Sequence, residues 1–127
     1  MSVRAWLAVD GNPELCDDLL AALPFRVLQD HPMVTGESIF AWTPLVSTAP
    51  IRLREEIRFA PLGRLRFSQR TGQKLIVQYG ETKETIMAPV LGSVVEADVG
   101  ALPALGRAVW ASTYETKAPI WLTVERC

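Results

Sequence analysis

The segment from His31 to Ser38 concentrates residue types that can transfer protons and bend the backbone. It reads His-Pro-Met-Val-Thr-Gly-Glu-Ser and holds the only histidine of the chain, directly before an apolar run at residues 39–42. An imidazole exchanges protons near neutral pH, and loops on a rigid scaffold often carry binding and catalytic side chains. The segment is therefore the first candidate site. The alternative is a connecting loop with a surface histidine.

Three residues are candidates for acid or base catalysis. Glu37 comes first, because Gly36 permits a tight turn that can aim the carboxylate into a site; the alternative is a solvated glutamate at the start of a strand. His31 is a candidate proton relay or a hydrogen-bonded loop residue. Glu84 closes the run Glu-Thr-Lys-Glu after a central hairpin, where charges are usually solvated.

Polar side chains on the central strands are candidates for substrate binding. Arg64 and Arg66 share one strand face, so each can point to solvent or toward a ligand carboxylate, which arginine binds in bidentate fashion. Solvent is expected for at least one of them. Gln78 alternates away from Tyr79 and can donate or accept a hydrogen bond to a substrate.

Aromatic residues can stabilise a cation that develops beside them, by about 1 kcal/mol. Such residues belong to a protein core more often than to a ligand cage. The candidates are Phe40, Trp42, Tyr79 and Trp110.

Length and composition describe an ordinary globular protein. A chain of 127 residues predicts one domain over residues 1–127. With 49% hydrophobic and 21% charged residues it resembles folded proteins and not disordered ones. A net charge of -1 provides no field that would attract nucleic acid or an anionic membrane.

Several functional classes lack their motifs. The sequence contains no phosphate-binding glycine loop, nucleophile elbow or Cys/His metal set. Cys16 and Cys127 have no metal-ligand spacing; reduced thiols are the simpler interpretation, and a bond between them stays open. The apolar N-terminal run is too short for a signal peptide or a membrane span. We therefore expect a soluble, cytoplasmic protein.

Periodicity predicts many short strands and two helices. The predicted helices cover residues 13–23, with Asn12 as N-cap, and 101–112, which Gly106 weakens by about 1 kcal/mol relative to alanine. The predicted strands are residues 3–9, 36–43, 51–59, a hairpin over 63–79 that turns near Thr71, 89–96 and 119–125, with a polar excursion at 80–88. About eight strands and two helices indicate a small closed or nearly closed β-barrel plugged by helices.

Short motifs carry a resemblance to a known family. They are Leu23-Pro24-Phe25, Thr35-Gly36-Glu37-Ser38-Ile39, the stretch from Gly72 to Thr82, and Pro89-Val90-Leu91-Gly92. Over residues 1–125 the chain resembles small bacterial proteins of cyclophilin-like fold, and within these the branch of cucumopine synthase and related Pictet–Spengler cyclases. The resemblance implies an eight-stranded barrel. The glycine-rich motifs of the prolyl isomerases of that fold are missing, which argues against isomerase activity.

The resemblance implies a cofactor-independent cyclase without a metal. Such an enzyme condenses an aromatic amino acid, tryptophan-like or histidine-like, with an aldehyde or 2-oxo acid to a tetrahydro-β-carboline or related ring in natural-product or opine biosynthesis. The chemistry needs carboxylates that move protons, an aromatic wall and a cation that binds a carboxylate. The residues named above supply a candidate for each part.

A different class of function stays open. A small barrel can be a noncatalytic small-molecule-binding or protein-interaction module, because fold does not fix function. The loop at residues 43–51 and exposed aromatic side chains would then mark the partner surface. The sequence also leaves open the amine, the carbonyl partner, the product stereochemistry and whether the protein forms a homodimer.

Overall fold

The computed structural model describes residues 1–70 and 72–127, and within them the chain forms eight strands and three α-helices. The strands are β1 (Ala5–Leu7), β2 (Phe25–Leu28), β3 (Gly36–Trp42), β4 (Arg54–Glu56), β5 (Arg64–Ser68), β6 (Lys74–Thr82), β7 (Met87–Val94) and β8 (Trp121–Val124). The helices are α1 (Pro13–Ala22), α2 (Glu96–Val99) and α3 (Leu102–Ala111), with a 3₁₀ turn at Ile57–Phe59 and a π-helical turn at Ser112–Thr116.

The strands form one main antiparallel sheet and one ribbon. The main sheet has the order β1-β7-β5-β6-β3, and β4 also pairs with β7, at the end opposite to β1. The ribbon consists of β2 and β8. A single bridge between Asp30 and Phe40 links the segment after β2 to β3.

The expected closed barrel is wrong. Among the described residues no sheet returns to its first strand: β1 and β3 lie at opposite ends of the main sheet. The outer edge of β7 is covered by two strands of three residues each, β1 and β4. Short strands of this kind protect an edge without closing the sheet. The fold is therefore mostly β and open, not a barrel.

Both predicted helices are present, and α2 is an additional short one. Asn12 occupies the N-cap position of α1 but makes no side-chain cap bond. Its buried amide instead donates to the carbonyls of Leu53 and Val90, and its Oδ1 accepts from the N–H groups of Arg52 and Leu53. None of the helices in the described residues is long and apolar enough to cross a bilayer.

Two predicted segments differ clearly from the structure, and one strand was not predicted. Residues 51–59 were expected to form one strand, but β4 ends at Glu56 and a 3₁₀ turn follows. Residues 80–88 were expected to be a polar excursion, but β6 continues to Thr82 and β7 begins at Met87. Strand β2 was not predicted. The expected hairpin turn falls partly on Thr71, which lies outside the described residues; β5 and β6 pair on either side of it.

The two faces of the main sheet have different surroundings. One face carries the hydrophobic core, including Leu65 and Leu75, and α3 packs against β3 and β6 there. At Gly106 the helix approaches so closely that an added Cβ would lie 2.3 Å from the ring of Tyr79. Glycine at that position therefore permits the contact. The helices leave the opposite face open to a cavity.

Candidate active site

A cavity of about 640 Å³ lies on the sheet face away from α3. This volume is in the range of small-molecule sites. The period of two along each strand selects the residues that face it: Ser38 and Phe40 from β3, Arg66 and Ser68 from β5, and Lys74 and Ile76 from β6. The remaining wall comes from β7, the loop at residues 83–86, and the segments beside β3, β4 and β5.

The charges that line the cavity are unbalanced. Four lining side chains are cations and one is a carboxylate: Arg54, Arg66, Arg70, Lys74 and Glu84. Much of the remaining wall is apolar, with Phe40, Phe67 and several aliphatic side chains. A concave, partly apolar surface with excess positive charge attracts ligands that carry a negative group.

Arg66 is the most buried cation of the cavity. Its residue is 2% exposed, and Nη1 donates to Oε1 of Gln78 at 2.5 Å. Burial lowers the pKa of Arg66 to about 10, opposed by the charge of Glu55. Among the described residues Arg66 belongs to no ion pair. A buried charge without a counter-ion lowers the free energy of unfolding. Favourable interactions in the rest of the fold must offset this cost.

The other guanidinium nitrogens of Arg66 are open to the cavity. Within residues 1–70 and 72–127 the guanidinium has one hydrogen-bond partner, Gln78. No buried side-chain nitrogen or oxygen of the described residues lacks a partner, so the unused donors are not sealed in the core. Arginine presents five N–H donors in a planar fork that suits a carboxylate. Arg66 can therefore receive an anionic ligand group.

Gln78 lies beneath Arg66 and does not line the cavity. It is 2% exposed, and its Nε2 donates to the carbonyl oxygens of Ala60 at 3.3 Å and Gly80 at 3.0 Å. Its amide is thus fully engaged within the protein. The structure places this predicted substrate-binding residue next to Arg66 and not in contact with the cavity.

Among the described residues, Glu84 is the single carboxylate that lines the cavity. It lies in the loop between β6 and β7 and is half-buried. In the part of the chain that the structure describes, it makes no hydrogen bond or ion pair. Both carboxylate oxygens are therefore available to a ligand. No three His, Cys, Asp or Glu side chains of the described residues are grouped as metal ligands would be.

An aromatic wall stands at one side of the cavity. Phe40 lines it, and Trp42 contacts Phe40 edge to face with ring centroids 4.9 Å apart. The Lys74 ammonium lies 4.9 Å from the Phe40 centroid and 5.9 Å from that of Trp42. Trp42 itself is not part of the lining and is exposed. Of the predicted aromatic residues, the structure brings Phe40 to the cavity.

Arg64 is placed in a different environment from Arg66. Its Nε donates to Oε1 of Glu55 at 2.6 Å, and Nη1 donates to the Ser93 hydroxyl at 2.7 Å. It lines a second cavity of about 420 Å³ beside β1. Because Glu55 already compensates its charge, Arg64 has little capacity left for a ligand.

His31 belongs to a buried cluster on the helix-covered face. Its Nδ1 lies 2.7 Å from the Pro32 carbonyl oxygen and its Nε2 lies 2.7 Å from the Tyr79 hydroxyl. A carbonyl only accepts, so Nδ1 carries a proton and donates to Pro32. Trp110 packs edge to face on the imidazole, and Tyr114 donates to the His31 carbonyl. Burial and the nearby Glu37 raise the pKa of Tyr79.

Glu37 does not line the cavity. The pairing of β3 with β6 is irregular between Gly36 and Ser38, and it is Ser38 that faces the cavity. Glu37 is exposed, packs over Gly80 and accepts from the Glu81 N–H at 3.3 Å. Of the three predicted acid/base residues, the structure brings one to the cavity, Glu84.

Among the described residues, the sequence interpretation missed seven polar residues of the cavity lining: Thr35, Ser38, Arg54, Ser68, Gln69, Arg70 and Lys74. Ser38 and Lys74 share the strand parity of Phe40 and Arg66, so period-two alternation extended along β3 and β6 identifies them. Arg54 and Arg70 come from the ends of β4 and β5 and are exposed. No local pattern marks these two, because their place depends on how the strands assemble.

Comparison with solved structures gives a match that covers nearly the whole chain. No protein-family model matches the chain, and no curated protein matches it either. A solved structure of McbB in complex with tryptophan does match, with a TM-score of 0.89 and 36% sequence identity over 98% of this chain. The chain therefore has a McbB-like fold. It spans 40% of the McbB chain.

Proposed function

We propose that this protein is a Pictet–Spengler cyclase that uses the 640 Å³ cavity as its active site. It condenses an aromatic amino acid, tryptophan-like or histidine-like, with an aldehyde or 2-oxo acid and needs no cofactor. Similarity to a protein whose structure contains tryptophan supports an amino acid of this type as one substrate. The product is a tetrahydro-β-carboline or a related ring.

The observation that carries the proposal is the pairing of two open groups in one cavity. Arg66 is buried with unused donors, and Glu84 has no partner among the described residues. Buried polar groups of folded proteins normally have partners within the protein. A cation and a carboxylate that both remain open, beside the Phe40 wall, match the parts that iminium cyclisation requires.

The reaction divides into two stages. First the substrate amine adds to the carbonyl carbon, the hydroxyl is protonated and leaves as water, and an iminium remains. The aromatic ring carbon then attacks the iminium carbon to form the new C–C bond. Loss of the proton from that ring carbon restores aromaticity. The product mass equals the sum of both substrates minus one water.

The cavity residues have distinct roles in these stages. Arg66 binds the amino-acid carboxylate and fixes the orientation of the substrate. The ring of Phe40 stabilises the transient cation. Glu84 in its acid form protonates the leaving hydroxyl, and its carboxylate then takes the ring proton, so one residue completes the cycle. The proposed reaction assigns no step to Glu37, His31 or Arg64.

The experiment that tests the function is a product assay with purified protein. L-tryptophan, L-histidine and tryptamine are each incubated with a panel of aldehydes and 2-oxo acids that includes 2-oxoglutarate. Liquid chromatography with mass spectrometry detects the condensed, cyclised product against a buffer control. We expect acceleration over buffer for at least one pair. Absence of acceleration across the whole panel would contradict the proposal.

Binding without turnover would favour the noncatalytic alternative. Isothermal titration of the same amines and acids measures binding independently of chemistry. A protein that binds L-tryptophan but forms no product would be a small-molecule-binding module. Location in the cytoplasm, homodimer formation and membership of the cucumopine synthase branch stay predictions.

A further inference from the structure

Gln78 occupies the position where a carboxylate would complete a buried ion pair. Its Oε1 receives the one hydrogen bond that the Arg66 guanidinium donates within the described residues. Buried arginines are usually paired with acidic groups. Here the two nearby carboxylates are not used for this purpose: Glu55 pairs with Arg64, and Glu84 lines the cavity without an ion pair.

The orientation of the Gln78 amide follows from its other partners. Its second terminal atom lies 3.3 Å from the Ala60 carbonyl oxygen and 3.0 Å from that of Gly80. Carbonyl oxygens only accept, so this atom must be the NH₂ group and the oxygen must face Arg66. Three hydrogen bonds thus hold the amide oxygen in one place.

We infer that Gln78 is a positioning residue that fixes the guanidinium of Arg66 without forming an ion pair with it, and thereby makes the cavity selective for substrates that bear a carboxylate. The inference rests on the proposed function for the identity of that substrate. An amide supplies a hydrogen bond but no charge. The guanidinium of Arg66 therefore has no ion-pair partner among the described residues and remains available to a ligand carboxylate.

A carboxylate at position 78 would act in the opposite way. It would form an ion pair with Arg66 and remove the net charge on which an anionic ligand depends. Its second oxygen would face the carbonyls of Ala60 and Gly80, which would lose their donor. Glutamine is thus the residue that satisfies both the carbonyls and the guanidinium without neutralising the site.

The test compares two probes, L-tryptophan and tryptamine, which differ by the carboxylate. Isothermal titration gives the Kd of each, and their ratio measures carboxylate selectivity. We expect the wild-type protein to prefer L-tryptophan, and Gln78→Glu to reduce that preference at least about tenfold.

Gln73→Glu is the matched control. The Gln73 amide also donates to backbone carbonyls, those of Ser47 and Gln69, but Gln73 lies outside the cavity lining. The Gln73→Glu variant should leave the ratio unchanged.

Gln78→Met keeps the test decisive if the glutamate variant does not fold. This variant removes the anchor but leaves the charge of Arg66, so L-tryptophan should bind about three- to tenfold more weakly and tryptamine equally well. The loss should be smaller than in Arg66→Met. An unchanged Kd for L-tryptophan, or a loss as large as that of Arg66→Met, would overturn the inference.

The two proposals fail in different ways. If the wild-type protein cyclises no substrate pair but the Kd ratio responds to Gln78→Glu as expected, the proposed function is wrong and the inference about Gln78 stands. If the wild-type protein is active but prefers L-tryptophan no more than the Gln78→Glu variant does, the inference is wrong and the proposed function stands.

Discussion

The two faces of the main sheet hold similar polar residues in opposite states. On the helix-covered face, both ring nitrogens of His31 have partners at 2.7 Å, one of them the hydroxyl of Tyr79. On the cavity face, Arg66 has one partner and Glu84 has none among the described residues. The first face is complete without a ligand. The second face has hydrogen-bonding capacity left over.

This difference separates residues that stabilise from residues that bind. A buried polar group with all its hydrogen bonds made contributes to stability, whereas an open one costs free energy until something binds to it. Residue type alone favours the histidine segment as the site. Hydrogen-bonding groups without a partner in the described residues instead point to Arg66 and Glu84 as the site. These two residues are more than fifteen residues apart in sequence and line the same cavity.

The largest expected effect compares two glutamates on the two faces. Glu84→Gln removes the one carboxylate that the described residues contribute to the cavity, so kcat should fall by about 10²- to 10⁴-fold. Glu37→Gln should leave kcat within about twofold, because Glu37 lies outside the cavity. Steady-state rates of product formation measure both. Full activity in Glu84→Gln with loss in Glu37→Gln would reverse the assignment of the faces.

The second comparison uses two arginines of one strand. Arg66→Met should raise KM for the amino acid by about 10- to 100-fold, because a charge-assisted hydrogen bond to the carboxylate is lost. Arg64→Met should leave KM unchanged and reduce stability by about 1 kcal/mol, since its partner is the partly exposed Glu55. Kinetics and chemical denaturation separate the two effects. Equal KM values in both variants would contradict a special role for Arg66.

The third comparison tests whether the helix-covered face is structural. Gly106→Ala places a methyl group against the Tyr79 ring and should lower the free energy of unfolding by about 1–3 kcal/mol. Gly100→Ala is the control, since a Cβ there has no neighbour within 4 Å and should change stability by about 0.5 kcal/mol or less. Both variants should keep wild-type kcat. A selective loss of kcat in Gly106→Ala would indicate that this face takes part in the reaction.

The smallest effect is a pH dependence. The pKa of Arg66 is lowered to about 10, so its charge is complete at neutral pH and is lost as pH rises through that value. Affinity for 3-indolepropionate, which stays an anion throughout, should fall roughly fourfold between pH 9 and pH 10.5. Titrations on protein shown to be folded by circular dichroism measure this. The fall should be smaller in Arg66→Met, which lacks this guanidinium.

Local periodicity accounts for most of the fold. Alternation identifies β5 and β6, strand-forming composition identifies β3 and most of β7, and apolar spacing identifies α1 and α3 within two residues at each end. Periodicity does not show whether the sheet closes into a barrel. The answer depends on the pairing of the short strands β1 and β4 with β7, which no local pattern indicates. Periodicity also misses the four-residue strand β2, whose partner β8 is far away in sequence.

The site is less accessible to sequence reasoning. The spacing of Arg64 and Arg66 shows that they share a strand face. Their different partners, Glu55 for Arg64 and Gln78 for Arg66, come from other strands and cannot be read from that spacing. The irregular pairing near Gly36 directs Ser38 and not Glu37 to the cavity. Such tertiary pairings have no local signal, so the sequence names most of the relevant residues but not their roles.

A crystal structure of the protein with L-tryptophan would show where the substrate binds. We expect the ligand in the cavity on the open face of the sheet, with its carboxylate within hydrogen-bond distance of the Arg66 guanidinium and its ring against Phe40. L-tryptophan bound on the helix-covered face beside His31 and Glu37, with the cavity left empty, would contradict this expectation.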